Sequence, residues 1–256
     1  MKTYLTILAV SLLLFISSCD DRSAPPEYDP PEWAVHPDHE IAIPDSLEGF
    51  YNPVEISYDN EIVTAYALLD FVTGYLYDGY TYELMSTDAD GNFSPRVKGY
   101  PDLVWDEFST GYYIPEKQHR AYFPDESIPS TYDVKNLGYI NMYRKVNVVK
   151  QADITLFHIN ALPSLQILYH DDQGSHEAEV IELRHLISDY ITPNKEDYEY
   201  LFEYFAGGTD LLSWQQLNRA YWIKNSEALI FLDDTNTVTD TAESLLNVYL
   251  SEIATY

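Results

Sequence analysis

The stretch 63–97, VTAYALLDFVTGYLYDGYTYELMSTDADGNFSPRV, constrains the fold more than any other part of the chain. In an extended conformation Tyr80, Tyr82 and Leu84 fall on one side, and Thr81, Glu83 and Met85 on the other. That period of two describes a strand with one buried face. Asp78-Gly79 precedes it between large side chains. Asp-Gly favours a two-residue hairpin turn, because such turns need positive φ. Thr87-Asp88-Ala89-Asp90-Gly91-Asn92 is a second turn signal. The stretch predicts a β meander belonging to a sandwich. Further strands are expected at 54–58, 62–69, 71–77, 139–149, 153–159 and 165–169, divided by Pro, Gly and Asp/Asn clusters.

The same segment carries a resemblance. Asp70, Thr73, Gly74 and Gly79, then Thr87, Asp88, Asp90, Gly91 and Phe93, stand at a spacing that resembles the carboxypeptidase-regulatory-like (transthyretin-like) β-sandwich domain. That domain is common in surface and periplasmic proteins of Bacteroidetes. Leu76-Tyr77 replaces the family's Pro-Leu, and Ala65 stands where a Gly is usual. The resemblance implies a sandwich and says nothing of chemistry, since one fold hosts many functions.

Residues 1–18, MKTYLTILAVSLLLFISS, place one Lys before an apolar run of signal-peptide length, too short for a spanning helix. Ile16-Ser17-Ser18-Cys19 resembles the lipobox of bacterial lipoproteins, which implies acylation of Cys19 and attachment to a membrane through that lipid. Cys19 is the single cysteine, so no disulfide is available and stability has to come from a core. Asp20-Asp21 resembles a surface-export signal in Bacteroidetes and an inner-membrane retention signal in proteobacteria. The expected location is the outer membrane or cell surface, with the periplasmic face of the inner membrane as the alternative. Six prolines within 22–45 make 19–49 an extended tether. His36 and His39 on that tether lack the rigid scaffold that a metal site needs.

With 42 acidic against 14 basic side chains the net charge is −28. This argues against nucleic acid as a partner, since binding there neutralises phosphates. It argues equally against a polybasic attachment to anionic lipid.

The segment 99–132 carries Trp105, Phe108, Tyr112, Tyr113, Tyr122 and Phe123 among four prolines. Its rings either cover one end of a sandwich core or form a platform for a sugar ring or peptide. Trp105, Tyr112, Tyr113 and Tyr122 are the candidate ligand-binding residues.

From about 176 the pattern changes. Tyr198, Leu201, Phe202 and Phe205 follow helical spacing, and Thr192-Pro193 suits a helix start. Ser213-x-x-Gln216 is a capping-box pattern. Asp240-x-x-Glu243 precedes a stripe of Leu245, Leu246, Tyr249, Leu250 and Ile253. For 177–190 the composition favours a helix, while Asp171-Asp172-Gln173-Gly174 offers a hairpin instead. The expected fold class is α+β: a β-sandwich over 50–175, then a helical region over 176–256 whose 206–217 loop resembles a degenerate EF-hand.

No catalytic motif is present. Residues 86–97 lack the Glu that closes an EF-hand loop. H-E-x-x-H fails because Val180 occupies the final His position. No metal ligand set and no cofactor are expected. The functional expectation is a non-catalytic envelope lipoprotein that binds a glycan, a peptide or a protein partner. The alternative is a hydrolase with a site near His170, His176 and His185.

Overall fold

The computed structural model describes residues 37–75, 77–87, 93–94, 102–188 and 191–253. The segment 1–18 expected as a signal, Cys19, the expected tether up to 36 and the turn expected at 88–92 lie outside them.

Strand β8 (Leu137–Lys150) organises the molecule. Its apolar residues alternate from Ile140 to Val148, and a register shift opposite Met85 and Ser86 lets Leu137 enter the first core as well. Ile140 and Met142 enter one core and Val146 and Val148 another, with Arg144 between them, while Asn141, Tyr143, Lys145 and Asn147 face outward. The first half of β8 is flanked by antiparallel β1 (His39–Ala42) and β4 (Tyr80–Thr87). The second half is flanked by antiparallel β9 (Asp153–His158) and parallel β17 (Leu245–Glu252). β5 (Phe93–Ser94) pairs with β4, and β12 (Tyr198–Tyr204) and β13 (Thr209–Leu212) extend the sheet beyond β17 to eight strands.

Two smaller antiparallel sheets cover its inner face. β2 (Val54–Tyr58), β3 (Glu61–Ala67), β6 (Tyr112–Ile114) and β7 (Arg120–Tyr122) form one. Through Tyr113 and Ala121 it shares a core with Tyr82, Leu84, Ile140 and Met142. β10 (Ser164–Asp171), β11 (Gly174–Glu182), β14 (Ala220–Ile223), β15 (Ala228–Leu232) and β16 (Val238–Glu243) form the other. Its Ile181, Trp222 and Phe231 pack on Val146, Tyr200, Phe202 and Val248.

The structure overturns the α+β expectation. The chain is mostly strand, 52% against 14% helical, and 176–256 is no helical region. Among the described residues the two α-helices, α1 (Trp105–Phe108) and α2 (Trp214–Leu217), have four residues each. Segment 198–204 is a strand whose buried residues are Tyr198, Tyr200, Phe202 and Tyr204. The tyrosines completed a period of two that competed with the helical spacing, and their β-propensity favoured it. In 245–252, Leu245, Val248 and Leu250 are buried and the stripe is again a strand. Residues 174–182 form β11, joined to β10 by the Asp171–Gly174 hairpin. The element that enters 206–217 is strand β12 and the segment itself contains β13, so it is not the loop of a helix pair. The Ser213 capping box does form: Ser213 N donates to Gln216 Oε1 at 2.9 Å. Asp78-Gly79 is not a hairpin turn but the end of a 3-10 turn over Tyr77–Gly79, and 68–72 is another 3-10 segment where part of a strand was expected. The end of the expected tether is β1, paired with β8.

The chain also contains one strand plan twice. The first copy runs β2–β3 hairpin, 3-10 segment Leu68–Val72, β4, β5, α1, β6–β7 hairpin, β8. The second runs β10–β11 hairpin, 3-10 segment Leu183–Leu186, β12, β13, α2, β14–β15 hairpin and, after the additional strand β16, β17. The pairings correspond: β3 with β6 and β11 with β14, β4 with β8 and β12 with β17. Leu103, Trp105, Phe108, Tyr112 and Ile114 are matched by Leu212, Trp214, Leu217, Tyr221 and Ile223 at identical spacing. Trp105 lies 6.0 Å from Tyr82 at 47°, and Trp214 lies 5.9 Å from Tyr200 at 46°.

Candidate functional site

The four candidate aromatic residues are divided between two cores. Trp105 packs at the edge of the first core, tilted against Tyr82 and Phe108. Tyr113 is 3% exposed inside it, its hydroxyl sharing a 2.6 Å hydrogen bond with His119 Nδ1. Burial pushes the Tyr113 hydroxyl up to about 12. Tyr112 and Tyr122 pack with Tyr58 around Val63, Ala65 and Ile114, on the other face of the small sheet. The structure does not bring the four together on one surface. Cys19 lies outside the described residues.

The histidines of the hydrolase alternative are also dispersed. His170 and His176 sit at the β10–β11 turn, bonded to Ser175 and Asp171. His185 lies nine residues beyond His176, roughly 30 Å along an extended chain, where its Nε2 is 3.2 Å from Glu182. Among the described residues no three His, Cys, Asp or Glu are placed to hold a metal ion.

The structure instead opens a cleft of about 410 Å³ where the two copies meet on the inner face of β8. Its floor is Arg144, 1% exposed. The guanidinium donates from Nε to Glu227 Oε2 at 2.8 Å, from one terminal nitrogen to Gly79 O at 2.7 Å and Lys145 O at 3.0 Å, and from the other to Leu245 O at 3.0 Å. These carbonyls sit just before β4, on β8 and at the start of β17, so one side chain closes the gap where three strands meet. Tyr80 and Trp222 hold the guanidinium between them at 5.6 and 5.2 Å from their ring centroids.

Comparisons with family models, curated proteins and solved structures give no match. The reading of the cleft therefore rests on its own geometry.

Its wall is aromatic. His39 lies 4.6 Å from Tyr75 and 5.5 Å from Tyr80 between ring centroids. The Tyr80 hydroxyl donates to Glu227 Oε1 at 3.1 Å, and burial beside that carboxylate raises its pKa far above the ordinary range. Asp38 accepts from Arg144 N and Asn160 Nδ2. Gly74, at φ +100°, forms part of the lining, a backbone conformation that L side chains rarely adopt. Tyr75 and Asn225 also line the cleft. The arrangement offers ring faces, carboxylates already oriented by neutral and charged donors, and the polar residue Asn225 in the lining. It presents no nucleophile paired with a base.

The sequence did contain these residues. Tyr75 and Tyr80 were read as strand positions, and His39 as part of a tether. Only the β1–β8 pairing and the meeting of the two copies bring them to Glu227, far along the chain.

Proposed function

We propose that this chain is a non-catalytic, lipid-anchored binding module of a bacterial envelope, and that the cleft between its two copies takes a glycan. The observation that supports this most is the wall of Tyr75, His39 and Tyr80 beside Glu227, Asn160 and Asn225. Saccharide rings have apolar faces that stack on such side chains, and hydroxyls that pair with carboxylates and amides. The acidic surface favours neutral over anionic polysaccharides. Anchoring through Cys19, at the outer membrane or cell surface, is part of the same reading and rests on the lipobox pattern.

Affinity electrophoresis through gels containing neutral or acidic polysaccharides tests the binding. Retardation by a neutral polysaccharide is expected, with loss in Tyr75→Ala at an unchanged melting temperature. If the wild-type chain runs freely through every gel, the glycan reading fails. Metabolic labelling with an alkyne fatty acid tests the anchor, and label persisting in Cys19→Ala would exclude it.

A further inference from the structure

The charges that line the cleft do not cancel. The lining holds two carboxylates, Asp38 and Glu227, and one guanidinium, Arg144. Arg144 and Glu227 form an ion pair at 2.8 Å and offset each other. The Tyr80 hydroxyl gives its proton to Glu227 as well, so His39, whose Nε2 is 3.2 Å from that hydroxyl, donates to the Tyr80 oxygen. Glu227 is thus held by two donors of the chain itself. Asp38 is held differently. Its donors among the described residues are uncharged, the backbone N–H of Arg144 and the side-chain amide of Asn160. A carboxylate offers about four acceptor sites, so two donors leave it room for more. The Asp38 backbone N–H donates to Met142 O at 2.8 Å, which continues the β1–β8 ladder by one residue and fixes where the carboxylate stands.

Three rings bound the same space. Tyr75 lies 4.6 Å from His39 at 48° and 6.3 Å from Tyr80 at 83°, so the rings meet as a corner rather than as a stack. Aromatic faces attract an ammonium through their quadrupole. A carboxylate beside them adds the charge and the acceptors that a hydrogen-bonded ammonium needs. A neutral hydroxyl would gain the hydrogen bond without the charge, and an anion would be repelled.

Resting on the glycan reading above, we propose that the cleft prefers a sugar with a free amino group, a hexosamine in its ammonium form, over the N-acetylated and neutral sugars. The apolar face of the sugar lies against Tyr75, and the ammonium is held at Asp38. Its three N–H donors match the acceptor capacity that Asp38 retains. N-acetylation removes the charge and two of those donors. A lysine side chain carries the same charge on a flexible stem, but it lacks the ring face that the aromatic wall would cover. The net charge of −28 draws such a cation toward the chain, an effect that salt screens.

Isothermal titration calorimetry at neutral pH tests the preference. It compares two oligosaccharides of equal length and linkage, one of glucosamine and one of N-acetylglucosamine, with a lysine tripeptide as a third probe. The glucosamine oligomer is expected to bind about tenfold more tightly than the N-acetylated one. The ratio is expected to narrow as salt is raised, and to vanish in Asp38→Asn, a variant checked for a native melting temperature. The salt dependence needs no variant, so it decides the role of charge even where Asp38→Asn does not fold. Equal affinities for the two oligomers, or tighter binding of the N-acetylated one, overturn this inference and leave the glycan reading standing. Binding of neither oligomer also overturns it, and reaches the glycan reading only together with free migration through every polysaccharide gel. A lysine tripeptide that binds as tightly as the glucosamine oligomer assigns the cleft to cationic peptides and overturns the sugar assignment. A ratio that survives both high salt and Asp38→Asn overturns the role given to Asp38.

Discussion

Arg144 and Glu227 are joined at 2.8 Å although they come from different copies of the strand plan, one on the shared strand and the other in the β14–β15 turn. Arg144 is buried and Glu227 is one-third exposed. Replacing one partner of a buried pair leaves the other uncompensated, a loss of roughly 3–5 kcal/mol. Arg144→Met is expected to lose that much, since it also frees three carbonyls. Glu227→Gln keeps an acceptor for Nε and loses less. Denaturant midpoints at constant m-value measure both, and equal losses would mean that the carbonyl contacts contribute nothing.

Trp105 and Trp214 each brace a four-residue helix against a tyrosine of the large sheet. Large-to-small aromatic substitutions in cores cost about 3–5 kcal/mol, and partial burial here puts Trp105→Ala and Trp214→Ala near the lower end. The rings belong to separate cores, so the double variant is expected to show additive losses. A coupling well above 0.5 kcal/mol in a double-mutant cycle would contradict that separation.

Gly111 leaves no room for a methyl group. A Cβ there would stand 2.5 Å from Phe123 and 2.7 Å from Leu68, both side chains of the first core. The matching position in the second copy is Ala220, which is fully buried without conflict. Gly111→Ala is expected to cost roughly 1–3 kcal/mol by overpacking. Thermal unfolding measures it, and Phe123→Leu in the same chain should recover part of the loss.

His158 predicts the direction of one pH effect. Its folded pKa lies below 6.5 because of burial, with Asp102 and Asp38 opposing. Just under pH 6.5 the unfolded chain therefore binds a proton that the folded chain refuses. Stability rises with pH through that window and is lost as pH falls through it. His158→Gln should flatten the slope between about pH 6.5 and the folded pKa. Urea midpoints measured across that range decide it.

The sequence was legible where alternation was strong and local. Strands 54–58, 80–85, 139–149 and 165–169 were expected from period two and lie in strands. The second copy was misread because its tyrosines and leucines satisfy both periods. In 198–205 the helical spacing of Tyr198, Leu201, Phe202 and Phe205 competed with the alternation of Tyr198, Tyr200, Phe202 and Tyr204, and tertiary pairing with β17 decided between them. The repeat itself was written in the chain as Leu-x-Trp-x-x-Φ followed by Tyr-x-Ile, once from Leu103 and again from Leu212. Comparing the two would have carried the strand plan of the first half onto the second. The cleft was not legible, because its residues meet only through long-range pairings of β8 with β1, β4 and β17.

That shared strand also limits how the cleft can behave. Two lobes that close on a ligand usually turn about a loop or element end whose dihedral angles can change. Here the path from one core to the other runs through Arg144, Lys145 and Val146, consecutive residues of one strand that pair with Tyr80, His158 and Phe157, and the Arg144 side chain bridges the gap between the flanking strands. Bending there would break ladder hydrogen bonds and pull Arg144 from its carbonyls. The walls around Tyr75 and Glu227 thus hold their separation before any ligand arrives. Recognition resembles a fixed mould rather than a jaw, so selectivity follows the dimensions of the slot, and little ordering entropy is lost on binding.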